Sequence, residues 1–378
     1  MAFTEKESRP HMVGEGNMRF SNQSASIVDD ERAKIRALFL RRLLFIILCA
    51  VILPFVMGLC LSMGSAKITF NEVYAAIFSR VFPGFFEVRS LVDKVVWQLR
   101  MPRILMAALT GATLAMAGCT TQALLRNPLA TPYTLGISAG AGFGAAIGFI
   151  LSRGLVFGGA LQIVGNAFIF SLIPAAVVLL VAKKYGAMPE TMILSGIAMA
   201  YIFSACNTLL QFFAEAEALR ATVFWLIGDL SRAAWWQLPY TLAVLLLFAL
   251  INMRMASAIN IVKMGDEDAK GLGVDAEKVR KLGIITACLA TATVVSFTGA
   301  IGFICLLAPH ISRIVIGEDL RYLIPASGLV GSNLLLVADL IARRAIAPAQ
   351  LPVGAITALL GGPLLLYLLI RQRRRTHF

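Results

Sequence analysis

Few side chains in this 378-residue sequence could move a proton or hold an ion inside its apolar stretches. Of Asp, Glu and His, only His310 and Asp339 lie there, and both fall near the ends of the runs that contain them. Asn166, Asn207, Gln211 and Asn333 are polar but do not titrate. A carrier driven by protons or sodium generally needs carboxylates, histidines or unwound polar backbone near mid-membrane depth. That equipment is scarce here. His310 has no evident partner as a general base. No G-x-x-x-x-G-K followed by Ser or Thr is present to cradle a nucleotide, and no H-E-x-x-H, G-x-S-x-G or paired carboxylates mark a hydrolase. The six cysteines (Cys49, Cys60, Cys119, Cys206, Cys288, Cys305) lie singly in or beside apolar runs, without C-x-x-C or zinc spacing. They read as small hydrophobes rather than ligands or disulfides. The residues describe a conduit with no engine of its own.

The elements that position these groups are membrane helices. Of all residues 58% are hydrophobic and 15% charged, and the mean hydropathy is +0.80. A water-soluble domain is about 45–50% apolar and about 25% charged, so this composition excludes a soluble enzyme and implies a polytopic membrane protein. The 34 basic against 21 acidic residues give +13. No nucleic-acid recognition motif accompanies that excess. It reads instead as Lys- and Arg-rich cytoplasmic loops.

Residues 1–42 are polar and aperiodic, and are expected to be a disordered cytosolic tail with a short helix near Asp29–Arg42. The run after Arg41-Arg42 is too long for a signal peptide, so Leu43–Met63 is the first span. About twenty apolar residues cross a core of about 30 Å. That ruler adds Ile104–Leu125, Leu135–Leu151, Leu161–Ala182, Thr191–Phe213, Leu238–Met253, Leu282–Thr298, Ile301–Ile316, Leu323–Ile341 and Val353–Ile370. The seventh and eighth are separated because one helix over both would be about 50 Å long, and Gly299 and Gly302 offer a break. About ten transmembrane helices within 43–371, then a basic cytosolic tail at 372–378, make an all-α multi-pass protein of the cell membrane. An even count with the ending Arg371-Gln372-Arg373-Arg374-Arg375 places both termini in the cytoplasm.

Arg100, Arg103, Arg343 and Arg344 then fall outside. They are either snorkelling at helix ends or a basic outer rim for an acidic partner. Gly136, Gly140, Gly144 and Gly148 recur every four residues on the third span. Such spacing suits close helix packing in lipid, or the lining of a wide pathway. Met264–Arg280 reads as two short charged helices around a turn. Asp266 to Asp268 open the first, Gly271 and Gly273 make the turn, and Asp275 caps the second. A soluble motor could grip such a pair; a plain solvated connector is the other reading.

Three stretches together resemble the FecCD-type permeases, the iron-chelate uptake subunits of ABC importers that include the cobalamin permease. The first runs from Arg100-Met101-Pro102-Arg103 through Leu125-Arg126-Asn127-Pro128 to Leu135-Gly136-Ile137-Ser138. The second is the Gly265–Lys281 loop. The third runs from Gly299-Ala300-Ile301-Gly302-Phe303 through Ala308-Pro309-His310, Asp339-Leu340-Ile341-Ala342-Arg343 and Leu351-Pro352-Val353-Gly354 to Gly361-Gly362-Pro363. The resemblance implies a type II ABC importer permease. It would be a homodimer in the bilayer, with two cytosolic ATP-binding subunits beneath and an extracytoplasmic substrate-binding protein above. ATP and Mg would belong to the ATPase, with no cofactor in this chain and no nucleic acid as partner. By motif match, Arg100, Arg103 and Arg343 would dock the binding protein. Gly265, Asp266, Asp268, Ala269, Gly271, Leu272, Gly273 and Val274 would seat in the ATPase. Met188, Pro189, Glu190 and Thr191, in the loop from Tyr185, would form a cytoplasmic gate, and a span bearing Ser195, Ser204 and Asn207 would line the path. Cys305 and Gln350 depart from the family's usual Gly and Glu. The expected cargo is an iron–siderophore-type chelate. Cobalamin or haem is the alternative within the class, and an ion-coupled carrier or a membrane enzyme the alternative outside it.

Overall fold

In lipid, an apolar run satisfies its own backbone only as a helix, and a helix stands at each of the ten expected spans. The structure, a computed structural model, describes residues 14–64, 68–82, 84–152, 154, 161–347 and 349–376. Among these, every regular element is helical: α1 Gly14–Ser62, α2 Phe70–Val81, α3 Ser90–Lys94, α4 Met101–Leu124, α5 Ile137–Ile150, α6 Leu161–Tyr185 and α7 Pro189–Phe212. There follow α8 Ala216–Ile227, α9 Gln237–Met264, α10 Asp266–Gly271, α11 Ala276–Thr298, α12 Ile304–Ile316, α13 Leu320–Arg344 and α14 Val353–Thr376. A π-turn over Val95–Arg100 joins α3 to α4, and a 3-10 turn over Pro132–Leu135 leads into α5. Among the described residues, seven stretches are long and apolar enough to cross a membrane, while α5, α12 and the Val353–Tyr367 part of α14 are shorter.

Four expectations change. First, α1 runs back to Gly14, so residues 14–42 are helical rather than a disordered tail, and residues 1–13 lie outside those described. No Gly or Pro interrupts the sequence from Asn17 to Leu53, and an Asp30–Lys34 pair at 2.7 Å supports the helix at i,i+4 spacing. Second, α14 continues to Thr376, carrying most of the expected basic tail as helix; residues 377–378 lie outside those described. Third, the second helix of the charged loop is the first turn of α11, capped by Asp275 Oδ1 accepting from the Lys278 N–H at 3.0 Å. Fourth, α2, α3 and α8 were not anticipated, being shorter than a membrane-length ruler can see. The sequence did carry a signal for α2: Thr69 and Glu72 form a reciprocal capping box.

Helix α4 is the centre. It is buried along nearly its whole length and packs against α9, α11, α12 and α13. Small residues permit the approach, since lipid supplies no hydrophobic drive between helices. A Cβ on Gly111 would collide with the Gly331 carbonyl, and one on Gly118 with the backbone of Cys305. On α5, Gly140 and Gly144 press on the Phe170 and Asn166 carbonyls of α6, and Gly148 on Ile163. Gly136 differs from these three: it caps α5 in the left-handed region (φ 87°), beside Pro174 of α6 and Gly196 of α7. The break expected between α11 and α12 occurs at Gly299, where a side chain would meet the Trp225 carbonyl.

This packing predicts that Gly144→Val destabilises the fold by ~1–3 kcal/mol, read as a lowered melting temperature in detergent. Gly302→Ala, whose added Cβ meets nothing within 4 Å, should leave that temperature unchanged.

Candidate functional site

Two charged nodes sit at the two ends of α4, about 30 Å apart along its axis. At the first, Asp339 of α13 is wholly buried. Its Oδ1 accepts from Arg103 Nε at 2.9 Å and lies 2.8 Å from Nη2. Its Oδ2 lies 2.9 Å from Arg343 Nε. Arg103 Nη1 donates to Gln350 Oε1 at 2.7 Å, so a neutral amide stands where the resemblance implies a carboxylate. Arg343 also donates to the carbonyls of Cys60 (3.3 Å) and Met63 (3.1 Å). Arg100 donates to those of Leu61 (2.6 Å) and Ser62 (3.2 Å). Two cations thus cap the C-terminus of α1, where unpaired carbonyls concentrate negative charge. The three arginines expected as an outer rim do come together, but with their guanidinium groups turned inward, each 6–7% exposed. They line a cavity of about 160 Å³ with Gly64, Val95, Leu99 and Gln350.

An amphipathic cover lies over this end. Arg89 pairs with Glu72 and Arg80 with Asp93. Trp97 donates to the Ala76 carbonyl at 2.9 Å and stacks on Trp235. With Trp236 and Tyr240 these rings form an aromatic band of the kind found at a membrane–water boundary.

At the second node, Arg280 of α11 is 1% exposed. It donates to the Leu124 carbonyl at the end of α4 (3.0 Å) and to the Ala187 carbonyl in the α6–α7 loop (2.7 Å). It also forks onto both oxygens of Asp266 in α10 (2.6 and 3.2 Å). Hydrogen bonding from Arg280 holds the Asp266 carboxyl below the usual carboxylate range, with Arg126 adding to the effect. The fork is therefore complete above the ordinary aspartate range and is lost only as pH falls below that range. Arg280 carried no signal in the sequence, being one basic residue in a charged loop whose partners are mostly backbone carbonyls.

The residues expected to meet an ATPase form one exposed knuckle. Gly265 leads into α10, Ala269 is its buried anchor, and Asp268, Gly271, Leu272 and Gly273 face outward, with Leu272 62% exposed. The Val274 N–H closes the turn on the Ala269 carbonyl at 2.8 Å. The expected gate residues open α7: Met188 is its N-cap and is exposed, Pro189 is buried, Glu190 exposed and Thr191 half-buried. Along α7, Ser195 donates to Thr191, Ser204 and Thr208 are exposed, and the half-buried Asn207 has an unpaired Oδ1. His310 lines a cavity of about 320 Å³ near Arg126, Lys263, Arg313 and Glu318. Beside it Arg313 donates to Gln122 at 2.9 Å.

Removing the shared anion of the first node should be costly. Asp339→Asn leaves two buried guanidinium groups without a counter-charge and is expected to cost ~3–5 kcal/mol. Thermal unfolding in detergent measures it, and an unchanged melting temperature would refute the pairing.

Comparison with known proteins places the chain in a family. The model of the FecCD transport family matches residues 49–371. The cobalamin import system permease protein BtuC of Halobacterium salinarum is 38% identical over 285 residues, covering 75% of each chain. The Fe(3+)-citrate import system permease protein YfmE of Bacillus subtilis is 35% identical over 338 residues, covering 89% of this chain and 97% of its own. A solved structure described as an inward-facing metal-chelate type ABC transporter superposes with a TM-score of 0.75 at 28% identity, over 86% of this chain and 98% of that one. A family match that spans the helical body and both charged nodes leaves one assignment: the chain belongs to the FecCD transport family.

Proposed function

We propose that this permease subunit works as a pair of identical copies importing an iron–siderophore-type metal chelate. The Arg280 end and both termini face the cytoplasm, where two separate ATPases burn ATP with Mg. A binding protein delivers cargo at the Asp339 end. The observation that carries the reading is α10, an exposed knuckle beyond the membrane body, locked by Arg280 to α4 and to the loop that opens α7. It is the shape through which a motor's movement could enter.

The named relatives import iron citrate and cobalamin, and both are large metal chelates. A path for such cargo needs room more than tight contacts, which fits the scarcity of midplane charge. The exposed Ser204 and Thr208 give α7 a partly polar face suited to lining that path. The states are shifted by nucleotide and binding protein, which contact them differently. At the Asp339 end, Arg103 and Arg343 share one carboxylate, and Arg100 caps α1 beside them. The arginines that line the open cavity there favour acidic residues of the binding protein.

Uptake in proteoliposomes tests the reading. Ferric chelate should accumulate only with the ATPase, the binding protein and ATP present, and excess cobalamin or haem should not compete. Uptake under an ion gradient without the ATPase would overturn it. For docking, reversing the buried arginines would confound binding with unfolding of the α1 cap, so exposed Gln350 is the cleaner handle. Gln350→Glu should weaken binding-protein affinity about fivefold at low salt, with the difference shrinking as salt rises. Equal affinities at low salt would remove the rim.

A further inference from the structure

Resting on the importer reading, we propose that Arg280 is the positioning residue that makes α10 and the Gly186–Met188 loop move as one body. Nothing in the family match or the relatives' names assigns it a role. The geometry points to it because one guanidinium holds three separate segments: the carboxylate of α10, the loop carbonyl of Ala187 and the last carbonyl of α4.

The bond is asymmetric, and that asymmetry makes it a link. The Asp266 side chain is 42% exposed, so water can resolvate it if the fork opens. Arg280 is 1% exposed and has no such option. Pulling α10 away would strand a buried cation on neutral carbonyls, which is strongly unfavourable. The lower-energy response is for Arg280 to follow, drawing the Ala187 carbonyl with it. Arg126, 3.6 Å from Asp266, adds a second tie from the α4–α5 connection.

The loop is built to transmit such a pull. Ala187 immediately precedes Met188, the N-cap of α7. Gly186 before it sits at φ 90° with open space around its α-carbon, giving a swivel between α6 and α7. Displacement of α10 therefore reaches the first turn of α7, where Met188 to Thr191 stand, without passing through α6.

The experiment uses the complete transporter in proteoliposomes, with binding protein and ATPase. Arg280→Gln removes the charge from a side chain that is 1% exposed, so hydrolysis should continue while chelate imported per ATP falls about tenfold. Arg280→Lys should recover part of the loss. Asp266→Asn should also uncouple, and the double variant should be no worse than Arg280→Gln alone, because both break one link. Spin labels at Met188→Cys and Leu272→Cys within one chain, on a Cys206→Ser background, read the motion directly. Their separation should stay fixed through the nucleotide cycle in the otherwise native chain, and change by more than about 2 Å in Arg280→Gln. Should Arg280→Gln fail to assemble, Arg280→Lys carries the same readouts. Full coupling in the variants, additive losses, or a native-chain separation that varies as much as the variant's would overturn the link. ATP-independent uptake by the native assembly would instead sink the importer reading itself.

Discussion

A polar group drawn into a lipid-surrounded bundle has to find its partner inside that bundle, and Asp339 shows how far the fold follows from that rule. Its counter-charges come from the start of α4 and from one turn further along α13. Descending from it, Ser332 of α13 donates to the Ala108 carbonyl of α4 at 2.7 Å. Gly331 then meets Gly111, and Gly328 lies against Met116. Rising numbers on α4 match falling numbers on α13, so the buried ion pair and the glycine contact specify a single antiparallel register. Sliding either helix by one turn would separate the ions and drive backbone into backbone. The same arginines that satisfy Asp339 or stand beside it also cap α1, tying a third helix to that register.

The far end of α4 is organised by the same rule with the signs exchanged. There the buried group is the cation, Arg280, and its anion sits at the surface on α10. The difference has a mechanical consequence. A buried anion flanked by buried cations is a lock, because neither side can relax into water. A buried cation facing a half-exposed anion is a hook, holding while α10 is near and following when it moves. One rigid helix thus carries a lock at one end and a hook at the other.

Much of the helical body is legible in the sequence, because twenty-residue apolar runs admit only one structure in lipid. The break at Gly299 and the short α10 are equally readable, since each is written in glycine and cap residues. What the sequence hides is direction. Arg100, Arg103 and Arg343 stand where the family pattern puts them, yet whether a guanidinium at a helix end points to solvent or to a neighbouring carbonyl depends on which helix end lies beside it. Arg280 is hidden for a related reason: backbone acceptors such as the Leu124 and Ala187 carbonyls leave no mark in side-chain spacing. The polar 14–42 segment misleads differently. Composition argues against a packed core, but helix continuing outward from an already nucleated span needs no core.

The scarcity of titratable groups at mid-depth follows from where the two nodes lie. A protein that switches by protonation or ion capture has to place its sensor in the pathway. One that switches by force needs stiff rods, a face that can slide, and attachment points at the ends. Helix α4 is such a rod, buried and glycine-packed on several sides. Helix α7 has the other character: few of its side chains are buried, and its outward face mixes Leu194, Tyr201 and Leu209 with the hydroxyls of Ser204 and Thr208. It is seated by Met192, buried in its first turn, by Gly196 against the Thr134–Leu135 backbone, and by Phe203 among the rings of Phe143 and Phe170. A helix with so few buried side chains can tilt while its first turn is steered through Ala187. Division of labour between a locked strut and a loosely seated neighbour lets charges at the rims govern a passage that carries almost none.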